Sequence, residues 1–132
     1  MNLGKVILSV ICIMVLWFGL DSVFHGIILA GLYEQTAHLW RPLAEMDHVQ
    51  GTVFMAIYAL LFVLFYQTMV RPKNLAQGLK FGCWYGVICG FAMGGMYLFM
   101  PIPLHLAFGW FICTWLESVI AGLVVGYFLK NA

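Results

Sequence analysis

Asp21 and Glu117 each interrupt an otherwise apolar stretch of the chain. Each has polar neighbours at helical spacing: Ser22 and His25 beside Asp21, Thr114 one turn before Glu117. A carboxylate at the centre of a bilayer costs about 2.5 to 3.5 kcal/mol on insertion scales. Each acid must therefore face an interior, find a partner or carry a proton. Two carboxyls sharing a low-dielectric site do not both ionise readily. With an imidazole nearby, such a pair binds a proton or cation and releases it on protonation. At about 1.5 Å per residue, Asp21 lies roughly 24 Å along its helix from Lys5, and Glu117 roughly 20 Å from Lys130. Their depths match, near mid-membrane or a little outward. Asp21, His25, Glu117, Ser22 and Thr114 are thus the expected ion- or substrate-binding group. Two other uses stay open: a neutral hydrogen-bonded knot that fixes helix register, and a bound metal or haem. Haem is poorly served, because no second mid-membrane His pairs with His25.

A second constellation is expected at an aqueous tip. A reversal near Arg41-Pro42 sets Glu34 opposite His48 and His38 opposite Glu45 in an antiparallel hairpin. Zinc and non-haem iron accept such nitrogen and oxygen ligands. The plainer expectation is a solvated hairpin laced by ion pairs, with Asp47 among them. Cys12, Cys83, Cys89 and Cys113 form no C-x-x-C and differ in depth, so they read as small hydrophobes. Met93, Met96 and Met100 share a helix face with His105 nearby; they suit Cu(I) by type and core filling by habit.

No nucleotide-binding glycine loop, G-x-S-x-G or H-E-x-x-H is present. No enzyme is expected, and the sequence requires no cofactor. A net charge of +1 gives nucleic acid no reason to bind.

The elements that position these groups are membrane helices. Of the 132 residues, 64% are hydrophobic and 8% charged, whereas a globular domain carries about 25% charged residues. A span needs roughly 20 apolar residues, and four segments qualify within one domain: 6–33, 49–70, 79–100 and 104–129. Arg71-Pro72 and Pro101-Ile102-Pro103 break the pattern. The predicted fold is an all-α, integral membrane four-helix bundle. Lys5, Arg71, Lys73, Lys80 and Lys130 would share one side, so the positive-inside bias puts both termini in the cytoplasm of a bacterial inner membrane.

Gly78, Gly82, Gly86, Gly90 and Gly94 recur every four residues, and Thr114, Ser118, Gly122 and Gly126 form a matching line. Membrane helices gain contact through small residues that let backbones approach. The short connection at 101–103 makes helices three and four antiparallel neighbours. The first segment has a shorter line, Ser22, Gly26 and Ala30; these lines either hold one protomer together or leave one over to make an oligomer. Two functions follow: a small transporter or proton- and cation-binding protein, acting as a homo-oligomer, or a non-catalytic accessory or assembly subunit of a membrane complex. In length and helix count the chain is similar to small multidrug antiporters and dual-topology fluoride channels. The former place their essential Glu in the first helix, where this chain has Asp21, and no motif carries either function across.

Overall fold

A computed structural model describes residues 2–131. The fold is all-helical, with no strand among the described residues. Among the described residues five α-helices follow one another: α1 (Leu3–Val23), α2 (Ala30–Gln35), α3 (His48–Met69), α4 (Leu75–Gly94) and α5 (Leu104–Phe128). A π-helical turn, Phe24–Ile28, extends α1, and a 3₁₀ turn, Gly95–Leu98, extends α4. Four helices are long and apolar enough to cross a membrane: Leu3–Ile28, His48–Met69, Leu75–Leu98 and Leu104–Phe128.

Short polar side chains start three of the helices by accepting from orphan backbone donors. Asn2 accepts from Lys5 N–H at 3.1 Å, Asp47 from Gln50 N–H at 2.9 Å, and Asn74 from Gln77 N–H at 2.9 Å. Pro103 precedes α5, where its missing N–H costs nothing. The α3–α4 connection and the C-terminus lie at the same end, since Asn131 N–H donates to the Lys73 carbonyl at 3.0 Å.

The closest helix contact is between α4 and α5. A Cβ at Gly78 would strike the Gly122 carbonyl oxygen and lie 2.6 Å from Gly126 Cα; one at Gly82 would strike the Ser118 carbonyl oxygen. At Gly86 it would lie 2.9 Å from Ser118 Cβ, and at Gly90 2.9 Å from the Phe111 ring. The contact loosens at Gly94, where the nearest atom is 3.3 Å away. Beyond it, at the Gly94-Gly95 pair, the α-helix gives way to the 3₁₀ turn.

On the other side, α1 packs between α3 and α5. Ile13 and Trp17 of α1 meet Phe62, Val63 and Tyr66 of α3 and Ala121 and Val125 of α5 in one buried cluster. Phe62, Phe65, Tyr66, Phe81 and Tyr85 stack edge-on or tilted between α3 and α4, with ring centroids 5.0 to 6.2 Å apart. Such pairs add about 0.5 to 1.5 kcal/mol beyond their buried area.

Two expectations are corrected. The first span does not run unbroken over 6–33; it changes to the π turn at Phe24 and breaks at Leu29. Leu29 is buried, and its side chain fills the notch at Gly109 of α5, where a Cβ would lie 2.6 Å from Leu29 Cδ2. The connection to α3 also forms no projecting helical hairpin. Thr36 Oγ accepts from Trp40 Nε1–H at 2.8 Å, and the Trp40 ring packs edge-on against Trp110 of α5 at 5.8 Å. An apolar cluster with Leu29, Leu106 and Trp110 draws this segment down onto the bundle.

Candidate functional site

His25 sits at the fourth residue after Asp21, so both project from one face of α1. His25 Nε2 lies 3.4 Å from Asp21 Oδ1. From α5, the Glu117 carboxyl stands within hydrogen-bonding reach of the Asp21 carboxyl. One turn away on α5, Cys113 brings its thiol into the group: the Asp21, His25 and Cys113 donor atoms all lie within 4.8 Å of one another. Trp17, one turn before Asp21, fixes the two helices at this level by donating its Nε1–H to the Glu117 backbone carbonyl at 2.9 Å.

The imidazole is oriented from its other side. Tyr33 OH lies 2.6 Å from His25 Nδ1 and 2.6 Å from Trp110 Nε1. An indole N–H can only donate, so Trp110 occupies a lone pair of the Tyr33 oxygen. With His25 neutral and the phenol proton given to Nδ1, the imidazole proton lies on Nε2, facing Asp21. A directed chain results: Trp110 to Tyr33 to His25 to Asp21, with Glu117 at its end.

The π turn makes this chain possible. Eight residues separate His25 from Tyr33, about two and a quarter turns of α-helix, which would put Tyr33 well round from His25. The stretch is not a continuous α-helix: the π turn at Phe24–Ile28 and the break at Leu29 change its winding, and the phenol reaches the imidazole. Single π turns occur frequently at functional sites, and here the physical effect is alignment of a phenol with an imidazole.

Of the expected group, Asp21, His25 and Glu117 come together, and Ser22 and Thr114 do not join them. Ser22 is exposed, and its hydroxyl donates to the Phe18 carbonyl of its own helix at 2.7 Å. Thr114 lies four residues before Ser118 and so on the line that faces α4, and its carbonyl accepts from Ser118 Oγ at 2.8 Å. Cys113, four residues before Glu117, holds the place expected of Thr114. Trp17, Tyr33 and Trp110 are further participants. Trp17, Asp21 and His25 at successive intervals of four, and Trp110, Cys113 and Glu117 at i, i+3 and i+7, are helical-face patterns visible in the sequence. Tyr33 had no such signal, because α-helical counting places it elsewhere.

The expected tip site does not assemble. Glu34, His38, Glu45 and His48 are all exposed, and among the described residues the one potential metal-binding group is that of Asp21, His25 and Cys113. Asp47 serves as the α3 cap instead of an ion-pair partner. The fold-back of Trp40 onto Trp110 removes the antiparallel register that would have paired these residues.

The cluster is closed on the α5 side and open on the other: the Asp21 and His25 side chains retain 38% and 39% of their full exposure. Two apolar surface grooves, one between α3 and α4 and one between α1 and α3, lie away from it. No protein family, curated protein or solved structure matches this chain.

Tyr33→Phe removes the acceptor of Trp110 and the donor to His25 at once. The expected cost is about 1 to 3 kcal/mol, the penalty for leaving a buried donor unpaired. Imidazole ¹⁵N shifts of His25 should change from a single Nε2–H tautomer to a mixture. A tautomer unchanged by the substitution would remove Tyr33 from the chain.

Proposed function

We propose that this chain is a multi-pass protein of the bacterial cytoplasmic membrane that binds and moves protons or small cations through the Asp21, His25 and Glu117 cluster. The observation that carries this reading is the Asp21 carboxyl, which reaches an imidazole on its own helix and a second carboxyl on a neighbouring one. Ionisable groups within a membrane domain are functional by default, since insertion selects against them.

Membrane insertion is supported by the exterior. Ile11, Val15 and Phe18 of α1, Val53, Phe54 and Leu61 of α3, Trp84, Ile88 and Phe91 of α4, and Leu104, Phe108 and Tyr127 of α5 are large, apolar and exposed. Water would penalise such a surface at about 25 cal/mol per Å²; lipid does not. Lys5, Arg71, Lys73, Lys80 and Lys130 fall at or near the end that carries the α3–α4 connection, which by the positive-inside rule faces the cytoplasm with both termini. The glycines of α4 and the small residues of α5 hold one protomer together.

The working unit is a homo-oligomer. Ser22 is exposed and Gly26 has no atom near its would-be Cβ, so the small-residue line of the first span is unused within the protomer. It borders the open side of Asp21 and His25, where a second copy would shield both groups from lipid. The same open line favours one alternative, an accessory subunit that docks a larger membrane complex there.

In proteoliposomes, Asp21→Asn and Glu117→Gln should keep expression and oligomeric state and lose pH-dependent proton or cation flux. If purified wild type moves nothing and both variants lose a co-purifying partner, the accessory reading replaces transport.

A further inference from the structure

The transported or bound species is narrowed by a group that proton binding does not use. A site for hard cations such as Na⁺, Mg²⁺ or Ca²⁺ is built from oxygen, and a proton site needs only the carboxyls and imidazole. Here a thiol, an imidazole nitrogen and a carboxylate oxygen share one locus, each within 4.8 Å of the others. Thiolate and imidazole select borderline and soft metals. We propose that Asp21, His25 and Cys113 form a three-ligand site for a divalent transition metal of the zinc type, with the fourth position open. This inference rests on reading the cluster as a cation site and specifies its ligand.

The three donors can occupy three corners of a zinc tetrahedron. Bonds of about 2.0 to 2.3 Å to oxygen, nitrogen and sulfur set ligand atoms about 3.3 to 3.8 Å apart at the corners of a tetrahedron. The present spread requires a contraction of about 1 Å, within the reach of small side-chain rotations. The donors come from two helices that are locked at this level by the Trp17 bond to the Glu117 carbonyl. His25 offers Nε2 to the group while Nδ1 faces Tyr33 OH at 2.6 Å. On ligation the ring proton resides on Nδ1 and donates to the phenol oxygen, the outer hydrogen bond that metal-bound imidazoles use. Thiol and carboxyl protons leave as the metal enters.

The test is a Co²⁺ titration of the purified full-length chain in detergent micelles. The expected result is a thiolate-to-cobalt charge-transfer band with intense tetrahedral d–d absorption, saturating at one metal per chain and displaced by one equivalent of Zn²⁺. Cys113→Ser should abolish the charge-transfer band, and Cys89→Ser should retain it. Tyr33→Phe should weaken binding by about 10- to 100-fold. Helical circular dichroism identifies variants that are folded. A weak octahedral spectrum from wild type, or a charge-transfer band that survives in folded Cys113→Ser, overturns the metal site. If cobalt fails while Asp21→Asn and Glu117→Gln still abolish flux of protons or alkali cations, the metal assignment falls and the transport reading stands. If cobalt binds as described and those variants leave flux intact, the transport reading falls and the metal site stands.

Discussion

Gly122→Leu is expected to destroy the folded bundle, with a loss greater than about 3 kcal/mol. Its Cβ position already collides with the Gly78 carbonyl oxygen and lies 2.8 Å from Gly82 Cα. Both obstacles are backbone of α4, so no rotamer change relieves them. The substitution must separate α4 from α5 along their shared length. Gly122→Ala makes a sharper comparison. Alanine carries the same Cβ and meets the same backbone atoms, so its gain of about 1 kcal/mol in helix propensity does not offset the clash and a net loss of about 2 kcal/mol or more is expected, smaller than that of leucine. Gly19→Ala meets nothing within 4 Å and should be neutral or stabilising. Reversible unfolding in mixed micelles, followed by circular dichroism, orders the three variants. A Gly122→Leu transition superimposable on wild type would show that the two backbones do not touch.

Trp17→Ala is expected to cost on the order of 3 kcal/mol and to abolish flux. Trp17 is buried, packs on Tyr58 at 5.3 Å and Phe62 at 6.2 Å, and holds the Glu117 carbonyl through its indole N–H. Truncation leaves a cavity lined by three helices and releases α1 from α5. Trp17→Phe separates the two contributions, because it keeps most of the packing and loses only the hydrogen bond, worth about 1 kcal/mol. The informative readout is the distance between spin labels on α1 and α5. It should widen in Trp17→Ala and change little in Trp17→Phe, while both variants lose flux if the Asp21–Glu117 contact depends on that bond. Full flux in folded Trp17→Phe would confine this residue to packing.

Composition and period were enough to specify four long apolar helices, because apolar runs of that length have no other stable backbone state in lipid. The intervals of four among Gly78, Gly82, Gly86 and Gly90 were equally plain, since every one of these positions falls on a regular α-helix. Asp21, His25 and Glu117 stood out because charged groups are rare in such runs. Legibility ended where the helix ceased to be regular or where neighbouring faces had to be told apart.

Glu117 and Ser118 differ by one residue, about 100° of rotation, and that rotation turns Glu117 towards α1 and Ser118 towards α4. Counting back four from each assigns Cys113 to the cluster and Thr114 to the helix pair, a choice that local spacing alone left open. Tyr33 reached His25 only because the π turn altered the winding between them, and the break at Leu29 followed from a notch at Gly109, 80 residues further along the chain. The chain's own order of residues thus prescribed four long apolar helices and the acids that needed partners. Which side chains met those acids depended on helix rotation and one irregular turn, both fixed by contacts between segments far apart in sequence.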